Sequence, residues 1–465
     1  MTELVPGSVR REPMRRLKKL LITAIILGML AFLVVLAFAL WPTRTRAVAA
    51  PASDEDAILV EQGGYLALAG DCTACHTAPG GKPFAGGLPL ASPIGTIYST
   101  NITPDRQSGI GGYSLDQFDR ALRHGIRADG ASLYPAMPFP SYARFTDEDV
   151  RALYAYFQRG VSAVGQVNRP AGIPWPLSMR WPLAIWRKVF APNPDAAAFD
   201  PKRYPNEAVA RGAYLVQGAG HCGSCHTPRA ITLQEKALDE TGGEFLAGNQ
   251  IIDGWNAINL RGNPADGLGR WSEQDVVDTL KTGRNPHAAI VGSPMADVTV
   301  HSMQHLTDAD LHAIAAYLKT LPAIPGAGPS FADNPATAKA LQVGINASRS
   351  AELYVDNCAG CHRSDAKGYD RVFPAIAGNP TVLAREPDSL VRLILGGSRM
   401  PATATAPSTL GMPGFGWRLS DEEVAALATY LRSQWGNSAP PVAAKLAARI
   451  RSDLPKEMKE AAHAP

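Results

Sequence analysis

The sequence predicts a mainly α-helical protein in which an N-terminal transmembrane helix precedes three tandem helical domains. Three observations indicate this fold class. The chain has a long uncharged run near its start, repeats the pattern Cys-x-x-Cys-His three times, and closes each repeat with a capped amphipathic helical pattern. A chain of 465 residues is also too long for one ordinary domain, which favours several smaller cores.

The composition excludes a disordered chain and gives no sign of nucleic-acid binding. Hydrophobic residues make up 46% of the chain and charged residues 19%, which is enough to supply several cores. The net charge is +3, but the first 50 residues hold eight Lys or Arg against two Glu, so they carry +6 and the rest carries −3. Without a basic stripe in the main body, no nucleic acid is expected as a partner.

A basic segment, residues 1–19, precedes an apolar segment, residues 20–41, that is long enough to cross a membrane. At about 1.5 Å per residue, a helix over residues 20–41 would span roughly 33 Å, close to the thickness of the hydrocarbon core. The positive charge before the run places the N-terminus in the cytoplasm and the remaining chain on the periplasmic face of the inner membrane. Small residues at 47–49 also fit a signal-peptidase site, so a retained anchor and a long cleaved signal peptide both remain open.

Every cysteine of the chain belongs to one of the three Cys-x-x-Cys-His motifs. The motifs are Cys72 and Cys75 with His76, Cys222 and Cys225 with His226, and Cys358 and Cys361 with His362. This is the attachment motif of c-type haem, since two thiols three positions apart can bond the porphyrin while the next residue ligates iron. The sequence therefore predicts three covalently bound haem c groups. A disulfide framework, a zinc ribbon and a thioredoxin-like site are the alternatives, but none requires His directly after each second Cys.

The motifs divide the chain into three repeats. The first repeat covers 54–165, the second 206–321 and the third 350–436. Each repeat closes with a helical pattern opened by Thr146, Thr307 or Ser420 and an acidic residue three positions later, which is typical of a capping box. The joining segments are a Pro- and Trp-rich linker at 166–205, a second linker at 322–349 and a polar helical tail at 437–465.

Methionines that precede the closing helices are candidate sixth ligands of the haem irons. Met137 and Met412 are each followed by Pro and lie nine and eight residues before the capping Thr or Ser. Met400 of the third repeat follows its glycine element too closely to match. We therefore predict Met137 and Met412 as iron ligands, the alternative being that a Met near a turn only fills a gap in the core.

The second repeat offers two methionines, Met295 and Met303, and the internal repeat favours the first. Twelve residues separate Gly125 from Met137, and twelve also separate the aligned Gly283 from Met295. Met303 lies only four residues before the helix cap. We predict that Met295 ligates the second iron from a Pro-containing loop.

Ligation by His and Met predicts electron transfer rather than catalysis, because a soft thioether favours Fe(II), raises the potential and leaves no open iron site. The remaining histidines lack metal-like clustering and are expected to be exposed or packing groups: His124, His287, His301, His305 and His312. No nucleophile and base pair, phosphate loop or carboxylate dyad stands out. We expect no catalytic residue and no substrate site on this chain.

The three motifs, together with the sequences at 70–77, 98–105 and 226–229, resemble the triheme cytochrome c subunit of bacterial membrane-bound dehydrogenases over about 54–436. The resemblance implies three class I cytochrome c folds in tandem. It also implies a separate catalytic subunit with a flavin, quinone or molybdenum cofactor, such as a gluconate, fructose, sorbitol, alcohol or aldehyde dehydrogenase.

Three classes of function follow from these observations. The leading one is an electron-transfer subunit that passes electrons from a periplasmic dehydrogenase to membrane ubiquinone or a terminal oxidase. The second is a free-standing, membrane-tethered electron shuttle or an oxidase-associated cytochrome. The third is a haem enzyme such as a peroxidase, which would need an open iron site.

Overall fold

The computed structural model describes residues 11–43, 45–49, 56–325, 330–345 and 348–454. The start of the basic segment at 1–10, the first two positions of the first repeat at 54–55 and the end of the tail at 455–465 lie outside the described residues, as do a few linker positions. The architecture is mainly helical, with three short antiparallel hairpins, and confirms the predicted fold class.

The first helix, α1 (Arg11–Leu40), is the one element of the described chain that is long and apolar enough to cross a membrane. From Met14 to Val35 its side chains are exposed, so the protein body does not cover them. In its last third α1 lies beside the rest of the chain, where Phe32 contacts Trp181 and Ala39 is buried.

The first repeat contains five helices and one hairpin. They are α2 (Asp56–Ala69), α3 (Cys72–His76), β1 (Pro89–Ser92), β2 (Gly95–Tyr98), α4 (Leu115–Leu122), α5 (Phe139–Tyr142) and α6 (Asp147–Ala155), with a π-helical turn at Tyr156–Gly160. In the hairpin, Pro89 pairs with Tyr98 and Ser92 with Gly95. The linker that follows contains α7 (Trp181–Phe190) and a 3-10 turn at Pro201–Arg203.

The second repeat has a closely similar order of elements. They are α8 (Glu207–Tyr214), a π-helical turn at Leu215–Ala219, α9 (Gly223–His226), β3 (Ile251–Ile252), β4 (Trp255–Asn256), α10 (Glu273–Thr282), α11 (Ser293–His301), a 3-10 turn at Met303–His305 and α12 (Asp308–Thr320). Ile251 pairs with Asn256, and Ile252 with Trp255. In both repeats the first and the last long helix pack together, α2 on α6 and α8 on α12.

The third repeat is flanked by two further helices. Its region contains α13 (Ala336–Gln342), α14 (Arg349–Asn357), α15 (Ala359–His362), α16 (Pro380–Leu383), α17 (Asp388–Gly396), β5 (Ser398–Arg399), β6 (Gly411–Met412), α18 (Asp421–Ser433) and α19 (Ala444–Asp453). Helix α19 is more than a polar tail. Ala447 and Ile450 bury its apolar face against α17 and α18, so the third core runs beyond residue 436.

The predicted helix caps form, with one difference between the repeats. Thr146 and Ser420 each make a full capping box with Asp149 and Glu423. Thr307 caps α12 by accepting from the Asp310 amide, but the Asp310 carboxylate does not return to the Thr307 amide. That carboxylate is occupied by tertiary partners, which are described below.

The buried residues form two cores rather than three separate ones. One core is continuous from Val48 through the first repeat to Leu321 at the end of the second, and the other runs from Ala338 to Leu454. The first and second repeats are therefore packed as one body. Three repeats along the sequence do not require three independent cores.

Candidate haem sites

The Cys-x-x-Cys-His motifs all fold in the same way, as single helical turns at α3, α9 and α15. One turn places both thiols of a motif and its histidine on neighbouring positions of the same short segment. None of the six cysteines forms a disulfide. The structure thus offers no support for a disulfide framework.

The chemistry of the thiols also differs from that of a thioredoxin-like pair. A redox-active Cys-x-x-Cys thiol has a lowered pKa, because the thiolate is the nucleophile. Here burial raises the pKa of Cys72 and Cys222 to about 12, and that of Cys75 and Cys225 to about 11. Burial likewise raises the pKa of Cys358 to about 12. The raised pKa values argue against a thioredoxin-like redox pair.

Each motif histidine is oriented by a backbone carbonyl, and this arrangement occurs three times. The Nδ1 atom of His76 lies 2.7 Å from the Thr100 carbonyl oxygen, that of His226 lies 2.8 Å from Ile258, and that of His362 lies 2.9 Å from Pro374. Because a carbonyl only accepts, Nδ1 carries the proton and the Nε2 lone pair is available to a metal.

Burial lowers the pKa of all three histidines, with the carbonyl bond opposing it in part, so that each ring is kept neutral. A neutral imidazole held in this tautomer is the form that ligates iron. The residues present therefore fit haem c, with the paired thiols as attachment points and Nε2 as the axial ligand.

A glycine completes the turn behind each histidine. The amides of Gly86, Gly248 and Gly368 donate to the carbonyl oxygens of His76, His226 and His362, over 2.7, 2.7 and 3.1 Å. All three glycines have positive φ, and a Cβ atom on any of them would collide with backbone atoms of the following loop. Only glycine permits this approach, which brings the carbonyl-bearing loop against the histidine.

Sequence reasoning missed these carbonyl acceptors and glycines. A faint signal exists in two repeats, where Asn101 directly follows Thr100 and Asn259 directly follows Ile258. Each Asn side chain accepts from the amide two residues later, 2.9 Å from Thr103 and 2.9 Å from Arg261, and so fixes the turn that presents the carbonyl. The third repeat uses Pro374 without an Asn.

The predicted methionine ligands differ in burial from Met303 and Met400, which are not predicted to ligate iron. Met137, Met295 and Met412 are half-buried, whereas Met303 and Met400 are each 4% exposed. Met303 is part of the continuous core of the first two repeats. Its side chain is thus engaged in packing.

One expectation about Met295 is wrong. It does not lie on a loop but in the first turn of α11, because Pro294 occupies an early helical position where its missing amide costs nothing. Met137 does lie on a turn, between Tyr134 and Phe139, and Met412 lies on β6 opposite Ser398.

The packing of the first two repeats brings their motifs next to each other. Helix α11 of the second repeat contacts α3, which is the motif of the first repeat, and α5 contacts the π-helical turn that precedes the motif of the second. The residues just before the two motifs also meet, because Nε2 of His221 lies 3.2 Å from the carbonyl oxygen of Gly70. The Cys225 thiol is near enough to Cys75 to contribute to raising its pKa, after burial and Asp71.

The same interface is held by two matching clusters of polar side chains. Tyr65 of the first repeat donates to Asp310 of the second over 2.6 Å, and Arg211 binds both oxygens of that carboxylate at 2.8 Å. In the reverse direction, Tyr214 of the second repeat donates to Asp149 of the first. Each tyrosine thus reaches the helix cap of the other repeat, which gives the pair a local two-fold character.

The second and third repeats meet at the segments that carry Met295 and Met412. The amide of Gly292, which precedes α11, donates to the carbonyl of Arg399 in β5 over 2.9 Å. Arg392 of α17 lies over the ring of Trp255, 5.5 Å from its centroid. The second repeat therefore lies between the other two and touches both.

Other metal sites are not evident in the described part of the chain. No group of three or more His, Cys, Asp or Glu residues is arranged there to hold a metal ion. Among the spare histidines, His124 is buried beside Asp119 and His287 stacks on Trp271, which fits the expected packing roles.

Comparison with known proteins gives the family. The cytochrome c family model matches residues 209–322 and 347–435. The gluconate 2-dehydrogenase cytochrome c subunit of Pantoea cypripedii is 53% identical over 415 residues, which are 88% of this chain and 93% of that protein.

Two further relatives are similar over most of their length. The cytochrome c subunit of alcohol dehydrogenase (quinone) from Gluconacetobacter polyoxogenes is 52% identical, covering 83% of this chain and 82% of the relative. The fructose dehydrogenase cytochrome subunit of Gluconobacter japonicus is 40% identical, covering 84% and 82%. Proteins of the cytochrome c family bind haem c covalently, and the motifs, their folded geometry and these relatives agree: the chain belongs to the family of cytochrome c subunits of dehydrogenases.

Proposed function

We propose that the chain holds three covalent haem c groups and passes electrons from the catalytic subunit of a periplasmic dehydrogenase to membrane ubiquinone or a terminal oxidase. The observation that carries this proposal is the threefold repetition of one clamp. In each copy two thiols, a histidine with Nδ1 bonded to a carbonyl, and a positive-φ glycine come together.

The roles of the residues follow from that clamp. Cys72, Cys75, Cys222, Cys225, Cys358 and Cys361 would attach the haems. His76, His226 and His362 would ligate iron on one side, and Met137, Met295 and Met412 on the other. Haem c bound in this way supplies one-electron chemistry at a raised potential.

The order of the repeats in space supports a relay. The second repeat contacts the first through α3 and α11, and contacts the third through Gly292 and Arg399. An electron that enters at the first or third repeat can thus pass to the other through the second repeat. We propose that the second site is the intermediate one.

The partner is a dehydrogenase catalytic subunit with a flavin, quinone or molybdenum cofactor. The relatives named above are subunits of gluconate, alcohol and fructose dehydrogenases, which supports such a partner over a free-standing shuttle. Because the chain has no substrate site of its own in this proposal, reduction must come from that partner.

We propose that α1 is a retained anchor, with the N-terminus in the cytoplasm and the repeats on the periplasmic face. Val48 belongs to the core of the first two repeats, and Lys188 of α7 binds carbonyl oxygens at the end of α1. Cleavage at the small residues 47–49 would break both contacts. The packing thus favours the anchor over a cleaved signal peptide.

Stopped-flow spectroscopy of haem reduction tests the function. The purified chain mixed with gluconate, fructose, an alcohol or an aldehyde should show no reduction. Adding a candidate dehydrogenase catalytic subunit, with the substrate of that subunit, should reduce the haems. Reduction by substrate in the absence of any partner would overturn the subunit proposal. If the catalytic subunit does not reduce the haems, the free-standing shuttle would be favoured.

A further inference from the structure

The linker segment 174–190, which contains α7, exposes an unusual set of side chains. Its exposed residues are all apolar or proline: Pro174, Trp175, Pro176, Leu177, Pro182 and Val189. Trp175 is 79% exposed, Val189 57% and Leu177 54%. An amphipathic helix in water normally presents its charged face instead.

The charged residues of the same segment are turned towards the protein. Arg180 lies over the Tyr134 ring at 3.8 Å, and Arg187, 9% exposed, bonds to Ser132 at 3.3 Å and Thr43 at 3.0 Å. The Lys188 ammonium binds the carbonyl oxygens of Phe38 at 2.6 Å and Trp41 at 2.7 Å. All three cations of this segment, Arg180, Arg187 and Lys188, thus have partners on the protein.

Helix α7 runs beside the last third of α1. The Trp181 ring meets the Phe32 ring edge-on with centroids 6.0 Å apart, and seven residues later Lys188 reaches the end of α1. Phe32 lies eight residues before Leu40, or about 12 Å along the helix axis. If the uncharged run of α1 spans roughly 33 Å of hydrocarbon, Phe32 lies inside it, and Trp181 must lie at a similar depth.

We propose that segment 174–190 is a second membrane contact, in which its apolar face inserts into the outer leaflet of the bilayer that α1 crosses. This inference rests on the proposed retained anchor, since α1 sets the depth of α7. The occupant of the apolar face is lipid, because the face is continuous with the lipid-exposed surface of α1. Tryptophan is common at the boundary between lipid headgroups and acyl chains, and an exposed apolar face can be buried there.

The contact extends to the second repeat. Trp186 Nε1 donates to the carbonyl oxygen of Thr232 over 2.7 Å, which places the fully exposed Ile231 at the rim of the same face. Segment 174–190 is thus bonded to the first repeat through Arg187 and to the second through Trp186. Insertion would hold both repeats at a fixed height and orientation above the membrane.

Hydroxyl-radical footprinting with mass spectrometry tests this inference on the full chain in nanodiscs of phosphatidylethanolamine and phosphatidylglycerol, without any partner protein. Trp417 of the third repeat is the internal control, since it is 56% exposed and far from α1 in sequence. If no lipid covered Trp175, it would react faster than Trp417, because it is the more exposed of the two in the folded chain. We expect Trp175 to be oxidised at least fivefold more slowly than Trp417.

A matched pair of variants provides a second readout. Leu177→Lys places a charge on the inserted face and should raise the oxidation of Trp175 at least threefold. Ile345→Lys, at a residue that is 62% exposed near the third repeat, should leave it unchanged. Both positions are exposed, so neither change is expected to prevent folding.

The outcomes separate the inference from the proposal on which it depends. Release of the chain from membranes by alkaline carbonate would overturn both the anchor and the second contact. Retention with Trp175 oxidised as fast as Trp417 would overturn only the second contact. Protection of Trp175 that appears only after a catalytic subunit is added would also overturn it, because protein and not lipid would then cover the face.

Discussion

Each motif histidine depends on a carbonyl group well outside its own motif. The acceptors lie 24, 32 and 12 residues after the histidine in the first, second and third repeats. Local sequence places the imidazole, but a distant loop decides which ring nitrogen carries the proton. That choice determines whether Nε2 can ligate a metal at all.

The two methionines of the second repeat should respond differently to removal. In Met295→Ala we expect one of the three haems to change from low to high spin, because the proposed thioether ligand is lost. Met303→Ala should keep all three haems low spin but lower the free energy of unfolding by about 2–5 kcal/mol, since a buried side chain leaves a cavity. Electron paramagnetic resonance and thermal unfolding separate the two effects.

A high-spin signal in Met303→Ala with none in Met295→Ala would reverse the assignment. Met400→Ala serves as the control in the third repeat, since Met400 is equally buried and is not a proposed ligand. It should lose stability without a change of spin state.

The attachment residues could be predicted from sequence because their signal is entirely local. Cys, Cys and His occupy fixed positions within five residues, and the chemistry leaves little freedom. The carbonyl of Pro374 has no comparable signal, because any residue supplies a carbonyl. The helical position of Met295 was missed for a similar reason, since Pro294 suits both a loop and the first turn of a helix.

At the scale of elements, close helix packing depends on glycines that a sequence pattern does not single out. A Cβ atom at Gly63 would collide with the Ala152 carbonyl in α6, and one at Gly212 with the Ala313 carbonyl in α12. The first and last long helices of both repeats thus approach at matching points. Glycine in a helix is normally unfavourable, so its presence here reflects packing.

Gly212→Ala should therefore destabilise the protein, although Ala is the better helix former by about 1 kcal/mol. We expect a loss of about 1–3 kcal/mol in the free energy of unfolding, because α8 and α12 must move apart. Gly218→Ala is the matched control, since a Cβ atom there meets only the Arg144 Cβ atom at 3.9 Å. Thermal unfolding that ranks the two variants in the opposite order would contradict this account of the packing.

The closing helices were predicted in all three repeats because capping and amphipathic pattern agree. The exception at Thr307 has a tertiary cause. Arg211 binds both oxygens of the Asp310 carboxylate that would otherwise complete the box, and the Thr307 amide donates to the Tyr65 hydroxyl at 3.2 Å instead. Partners so distant in the chain cannot be predicted from the local pattern.

At the scale of the whole molecule, the joining of the first two repeats into one core could not be predicted. The internal repeat indicated three similar units joined by linkers. The contacts that fuse the first pair link residues far apart in the chain, from 65 positions for Tyr214 and Asp149 to 245 for Tyr65 and Asp310. Their side chains are ordinary surface types until the repeats pack together.

The Asp310 cluster should make this interface sensitive to acid. Burial alone would raise the pKa of Asp310, but the hydrogen bonds from Arg211 and Tyr65 outweigh it and lower the pKa below 3.8. A carboxylate with a lowered pKa stabilises the folded state at neutral pH, and this contribution is lost as the pH falls through the lowered value.

We therefore expect Asp310→Asn to lower the free energy of unfolding by about 1–2 kcal/mol at pH 7. The difference from the unchanged protein should shrink as the pH falls through the lowered pKa of Asp310, because the carboxyl group then becomes neutral like the amide. Asp308→Asn is the control, because Asp308 is exposed and its partner Lys281 lies within the same repeat. A larger effect at Asp308 than at Asp310, in thermal unfolding across pH, would show that the interface does not depend on this cluster.

The central claim is that three copies of one clamp each hold a covalent haem c. A pyridine haemochrome assay on the purified, full-length chain, set against its protein concentration, measures this most directly. We expect three haems per chain, and two in the double variant Cys222→Ala with Cys225→Ala. Two or fewer haems in the unchanged chain, or an unaltered count in the variant, would contradict the account.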